Sequence, residues 1–252
     1  MQAKAHLVSF ADGAFKNRRQ GFTNEALSMN FFESVNVLDR KSLDTCYFEK
    51  HGRYILSQKR GFGYWIWKSQ VVHQSLANLP ENDVLAFSDV GFKFNPDGRY
   101  RLLEYVEMCC DSEFKNLGFS NTHTEYCRTK ADLACRLNVD LSSIVMRSTQ
   151  LSSGFFFLIN NKRNRDLVKS WVDISIENNY HYSNDSPSEL PNHPQFIEHR
   201  HDQSIFSLLR KLSGCEVTHY EVQSYPHFDN LKGILPLFAA RQGRDKSYVP
   251  EM

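Results

Sequence analysis

"VLAFSDVGFKFN", residues 84–95, is an apolar run that stops abruptly at an aspartate and a glycine and turns polar. Val84–Phe87 is continuously apolar rather than alternating. A strand of that kind has both of its faces covered, as in the middle of a parallel sheet. Asp89 then has two readings. Either the strand simply ends in a loop, or it delivers Asp89 to a site at its carboxyl end. The flanking segments decide between them.

Upstream, Tyr64–Leu79 predicts a helix with Trp65, Val72, Leu76 and Leu79 at helical spacing, broken by "NLPEND" at 78–83. Downstream, Gly98–Met108 resumes helical spacing through Leu102, Leu103 and Val106. "SSGFFFLIN" (152–160) reads as a second fully apolar strand, and Leu167, Val168, Trp171 and Ile174 mark the helix after it. "AHLVSF" (5–10) is the first strand, closed by the polar turn "ADG". Residues 178–195 are polar and broken by prolines; a loop of that length is often a functional lid. Asp202–Leu212 is a helix with Ile205, Phe206, Leu208, Leu209 and Leu212 on one face and Gly214 as its stop. "CEVTHYEV" (215–222) is a late strand, and the tail from Arg241 is polar. Strands alternating with helices predict an α/β fold with a mostly parallel sheet, one domain over residues 1–252. Ligands of such sheets bind beyond the carboxyl ends of the strands, where Asp89 stands.

Composition narrows the function. Of 252 residues, 41% are hydrophobic and 13% aromatic, enough for a substantial core. A net charge of +1 gives no electrostatic case for nucleic acid or an anionic membrane. No apolar run approaches the roughly 18 residues of a transmembrane helix, and the N-terminal apolar stretch is too short for a signal peptide. Cys46, Cys109, Cys110, Cys127, Cys135 and Cys215 form no CxxC pair. They read as reduced thiols of a cytoplasmic protein.

Two segments combine residues capable of chemistry. "KRGFGYWIWKSQ" (59–70) packs glycines, aromatics and cations together. Its plain reading is a turn entering an aromatic core helix. Lys68, on that helix, needs an anion or a carboxylate if it is buried. Gly61 and Gly63 permit close backbone approach to a ligand at a helix start. In "EHRHDQSIFSLLRK" (198–211), Asp202 is an N-cap in the plain reading. In the functional one, His199, His201 and Asp202 converge on a site. An H-x-H pair also suits zinc, but no third ligand with a familiar spacing follows.

"RGFGYWIWK", then "FSDVG" with "FN" shortly after, then "HRHDQSIFSLL", resembles a group of bacterial GT-A-type nucleotide-sugar glycosyltransferases. Members show a "YWLWKP"-like stretch, a "DAG"-like aspartate in place of DxD, and "HRxDQS" near the end. "LVSFADGAFK" also resembles their first strand and loop, so the likeness covers roughly residues 5 to 240. It implies a single glycosyltransferase domain with a Rossmann-like sheet. Phe10, Ala11 and Asp12 would border the nucleotide. Lys59, Arg60 and Lys68 would face phosphates or sugar. Ser153 and Gly154 would border the donor sugar, with His199 and His201 as further donor contacts. Asp202 and Gln203 match an Asp-Gln pair beside the transferring sugar. Asp89 would be the metal-binding or sugar-binding aspartate.

The departures from that pattern are specific. Ser88 and Val90 flank Asp89, and Ser69 replaces a usual proline. A single carboxylate holds a divalent ion only with help from diphosphate oxygens and another ligand. The resemblance thus implies Mn2+ or Mg2+, with His199, His201 or His227 completing the site. The implied partners are a nucleotide-sugar donor and a saccharide or glycolipid acceptor, and the implied location is the cytoplasm or the inner face of a membrane, in peripheral contact with it. Two other functions fit the residues: a metal-dependent hydrolase using the His-rich segment, and a non-catalytic carbohydrate-binding protein on a degenerate transferase fold.

Overall fold

The computed structural model describes residues 3–219, 221, 233–240, 244, 245 and 247. Val84–Ser88 forms strand β3, buried along its whole length. It runs parallel to β1 (Ala5–Phe10) on one side and antiparallel to β7 (Phe155–Ile159) on the other. Beyond β1 lies β2 (Ser34–Leu38), parallel to it. Beyond β7 lies β5 (Asn116–Thr124), antiparallel to it. β5 also pairs antiparallel with β6 (Thr149–Leu151) and parallel with β8 (Glu216–Thr218). The seven-stranded order is β2-β1-β3-β7-β5-β6, with β8 added on β5. Only β6 and β7 oppose the common direction, so the sheet is mostly parallel. A small ribbon of β4 (Lys93–Phe94) and β9 (Leu237–Phe238) lies apart from it.

Successive strand residues feed two cores. Val8, Leu85, Phe87, Phe156 and Leu158 point to one face, against α2 (Thr45–Ser57), α4 (Ile66–Ala77), α9 (Lys162–Tyr180) and α10 (Asp202–Ser213). Leu7, Val84, Ala86, Phe155 and Phe157 point to the other, against α1 (Arg19–Ser28) and α5 (Arg99–Asp111). Both faces being covered explains the unbroken apolar runs. It also explains why antiparallel β7 reads like its parallel neighbours: burial on two sides, not strand direction, dictates the run. Trp171 of α9 stacks on Phe206 of α10 at 4.0 Å, holding the helices of the first face together. The other α-helices among the described residues are short: α3 (Gly61–Tyr64), α6 (Glu125–Arg128), α7 (Ala131–Arg136) and α8 (Ile144–Arg147). Among the described residues no helix is long and apolar enough to cross a membrane.

Several boundaries differ from the sequence reading. No helix runs from Tyr64 to Leu79; α4 begins at Ile66 and ends at Ala77. The stretch before it, Gly61 to Trp65, has φ of 60, 53, 87, 52 and 59°. Its amides bond four residues back, Tyr64 to Arg60 at 2.8 Å and Trp65 to Gly61 at 3.2 Å. It is a single left-handed turn. Leu103 is 40% exposed because it follows buried Leu102 directly, and neighbouring helix positions point away from each other. Leu212, in the last turn of α10, is 50% exposed. Among the described residues the late strand covers Glu216–Thr218; Tyr220 and Val222 of the expected strand, and most of the tail from Arg241, lie outside the described residues.

Candidate functional site

The chain passes from β1 to β2 on one side and then crosses back to β3 on the other, so the order reverses between β1 and β3. That is the crevice where open α/β sheets bind ligands. Its floor is fixed by Ser9, whose hydroxyl donates to the Ser88 carbonyl at 2.6 Å. Asp89 follows β3 directly, and its amide donates to the Gly154 carbonyl at 2.8 Å, tying the end of β3 to the start of β7.

Lys68 rises into this crevice from the first turn of α4. Its ammonium lies 3.0 Å from Asp89 Oδ1 and 3.0 Å from Asp202 Oδ2. Ser153 donates its hydroxyl to Asp202 Oδ2 at 2.7 Å, and its amide faces Gln203 Oε1 at 3.4 Å. Gln203 is held in turn by Gln150 at 2.8 Å. The rings of Phe87 and Trp67 lie 5.5 and 5.9 Å from the ammonium. Burial alone would lower the Lys68 pKa, but Asp202 and Asp89 more than offset it and hold it above the usual lysine value. For Asp89, burial and the neighbouring Asp202 outweigh Lys68, and its carboxyl is pushed up. Exposure separates the acids. The Asp89 side chain is 33% exposed and the Asp202 side chain 7%, against 2% for Lys68.

Beside this cluster, Phe10 stacks on Trp67 at 4.1 Å. The Ala11 amide bonds to the Leu38 carbonyl at 2.8 Å. Asp12 is grasped by Arg40, whose Nε and Nη2 lie 2.9 and 2.8 Å from its oxygens. Burial would raise the Asp12 carboxyl, but the Arg40 contacts and the Gly13 amide hold it below the usual range. Arg40 was not singled out in the sequence. Its signal was positional: it follows β2 just as Asp12 follows β1 and Asp89 follows β3.

The His-rich segment does not converge. Asp202 is the first helical residue rather than the N-cap; the cap is His201, at φ 52° and ψ −123°. The Asp202 carboxylate turns to Lys68 and Ser153 instead of the helix amides. His201 sits 5.3 and 5.2 Å from the Tyr64 and Trp65 rings and contacts Asp185 at 3.0 Å. His199 turns to the Tyr182 carbonyl at 2.8 Å and the Lys130 amide at 3.3 Å. Arg60 pairs with Asp185 at 3.0 Å and Glu198 at 3.5 Å, and Lys59 is exposed. Arg60 therefore faces the 181–200 loop, and of the three cations named from the sequence only Lys68 joins the carboxylate cluster. The glycines of the left-handed turn approach their own protein: a Cβ on Gly61 would meet the Trp65 ring at 2.3 Å, and one on Gly63 the Ile55 Cα at 2.7 Å. The long loop is tied down as well. Asp132 accepts the Glu189 and Leu190 amides at 2.8 Å each and pairs with His181 at 2.6 Å.

The divalent ion implied by the resemblance finds a poor donor set. Ser88 and Val90 flank Asp89, and the ammonium already stands between the two carboxylates. Among the described residues no group of three or more His, Cys, Asp or Glu is placed to hold a metal ion. The described residues do not fit such an ion, and among them the hydrolase reading finds no zinc site. His227 lies outside the described residues.

No family model and no curated protein matches the sequence. Solved structures do match the fold. A glycosyltransferase involved in the glycosylation of the major capsid of PBCV-1 superposes with a TM-score of 0.54 at 9% identity, over 96% of this chain and 97% of that one. Mouse xyloside xylosyltransferase 1, in its apo form, gives 0.50 at 12% identity, over 94% and 97%. Identities this low establish architecture alone, and the architecture is a mixed α/β domain of the GT-A glycosyltransferase type.

Proposed function

We propose that this chain is a glycosyltransferase moving a sugar, a hexose in our reading, from a nucleotide-diphosphate donor to a hydroxyl of a saccharide or glycolipid, in surface polysaccharide or glycan synthesis at the cytoplasmic side of a membrane. One observation carries the reading: a buried ammonium with two carboxylates stands at the switch point of a sheet shared with known glycosyltransferases. Phe10, Ala11 and Asp12 border the same crevice and suit a nucleotide. Ser153 and Gly154 suit the donor sugar.

The roles follow from exposure. In a transfer with inversion a general base has to reach the acceptor hydroxyl; in one with retention a carboxylate instead stabilises the oxocarbenium-like centre. Asp89 is the more exposed acid, and its raised pKa brings it closer to the working range of a base. Asp202 is nearly enclosed; it fixes Lys68 and Ser153. Gln203 holds the Ser153 peptide. Lys68 supplies positive charge close to where the diphosphate leaves.

A thermal-shift screen of nucleotide sugars tests this. A matching donor at a hundred times its Kd adds about 2.7 kcal/mol, or about 5–11 °C for a chain of this size. Stabilisation by free saccharides with none by any nucleotide sugar would refute transfer and favour the carbohydrate-binding alternative.

A further inference from the structure

We infer that Lys68 is the resident cation of this site, and that its ammonium holds the seat a divalent ion would take between Asp89 and Asp202. Four observations converge. The ammonium is 3.0 Å from an oxygen of each carboxylate and so already bridges the two as a shared cation. A divalent ion such as Mg2+ needs oxygen ligands at about 2.0–2.1 Å in near-octahedral array. Here the only other oxygens that the ammonium meets among the described residues are the Ser153 carbonyl and hydroxyl, at 3.4 Å each, and Phe87 and Trp67 present ring faces, which suit an ammonium and cannot ligate a hard dication. The residues on either side of Asp89 are serine and valine, and Val90 is buried. Lys68 itself is enclosed, its side chain 2% exposed, and a dication at Asp89 alone would face its ammonium, 3.0 Å from that carboxylate.

The test is manganese binding by the full chain, read from the loss of the free-ion paramagnetic resonance signal. The wild type is expected to show no saturable site tighter than about 1 mM, and the same melting temperature in manganese and in chelator. Lys68→Met empties the seat and leaves both carboxylates, so it is expected to gain one manganese site at least about tenfold tighter, a change of about 1.4 kcal/mol or more. One manganese per wild-type chain, lost in Asp89→Asn, would overturn the inference. So would a folded Lys68→Met protein binding no better than wild type. Should Lys68→Met fail to fold, by circular dichroism, Lys68→Gln, which also removes the charge, is read in its place, and a manganese site in the wild type still overturns the inference. Neither readout uses a sugar nucleotide, so a failed donor screen would remove the proposed function and leave this seat standing. That the transfer itself runs without metal rests on the functional reading, and activity undiminished in chelator is its expected sign.

Discussion

Asp89→Asn and Asp202→Asn make the same chemical change at the two ends of one ammonium, and the structure predicts opposite consequences. The Asp202 side chain is 7% exposed and gives one oxygen to both Lys68, at 3.0 Å, and the Ser153 hydroxyl, at 2.7 Å. Asparagine keeps an oxygen for Ser153 but not the charge. Orphaning a buried charge costs about 3–5 kcal/mol, yet Lys68 retains Asp89. The loss is then one charge-assisted contact, about 1.5–3 kcal/mol. For a chain of this length that lowers the melting temperature by about 3–12 °C. Asp89 is a third exposed, and its surroundings disfavour the charged form. Its amide is expected to cost less than about 1 kcal/mol. Turnover should follow the reverse order, with Asp89→Asn losing roughly a hundredfold or more if it takes the acceptor proton. Thermal and urea unfolding at neutral pH, with turnover on the donor found by screening, measure both. Asp202→Asn melting with the wild type, or Asp89→Asn as the less stable variant, would refute the ranking by burial. A stable Asp89→Asn protein with full turnover would remove Asp89 as the base and leave Asp202 as the remaining acid of the cluster.

Two further expectations test the frame around the site. Gly61→Ala and Gly63→Ala place a Cβ on the Trp65 ring and the Ile55 backbone at positive φ, and should each cost at least about 2 kcal/mol by urea unfolding; Gly233→Ala, with nothing within 4 Å, should stay within about 0.5 kcal/mol, and equal effects at all three would contradict the left-handed turn. His199 is held neutral, first by burial and then by His201, with its two nitrogens on the Tyr182 carbonyl and the Lys130 amide. Its folded pKa lies below the unfolded value of about 6.5, so between the two the unfolded chain binds more protons, and stability is lost as pH falls below about 6.5. Melting temperatures from pH 7.5 down to 5 should show that fall and a shallower one in His199→Gln, the remainder belonging to His201, His51, His73 and His123, whose pKa values burial also lowers. An identical fall in the variant would rule His199 out.

The strands were legible because two-sided burial leaves a mark in one dimension. Val84–Phe87 and Phe155–Ile159 are apolar at every position, and both are central strands. Direction left no such mark, and β7 runs against its neighbours. In the site, Asp89 was legible as the residue after a buried strand, and Lys68 as a cation that would need a carboxylate. Their joining with Asp202 was not, because that contact brings residue 68 to residue 202 and depends on how α4 and α10 sit on one face. Arg40 and Asp185 were missed for the same reason: each acts through a partner distant in sequence, Asp12 for one and His201 for the other.

The left-handed turn is the part of the site that sequence propensity argued against. Phe62, Tyr64 and Trp65 all sit at positive φ, which costs about 1–2 kcal/mol per residue. Glycines at 61 and 63 remove that cost at only two of five positions. The remainder is offset by contacts that exist only in the folded state. The Trp67 indole donates to the Gly61 carbonyl at 2.9 Å, Arg40 lies 5.2 Å from the Phe62 ring, and Tyr64 and Trp65 flank His201. A right-handed start would satisfy the local chain and give α4 a different axis and phase. The reversal ends at Trp65, whose carbonyl receives the Lys68 amide, and so puts Lys68 in the first turn of a helix that starts at the carboxyl end of the sheet. Strain concentrated in the five residues before a buried ammonium is thus held by contacts to the core, where Phe62 is buried, as well as by Arg40 and His201 beside the carboxylate cluster.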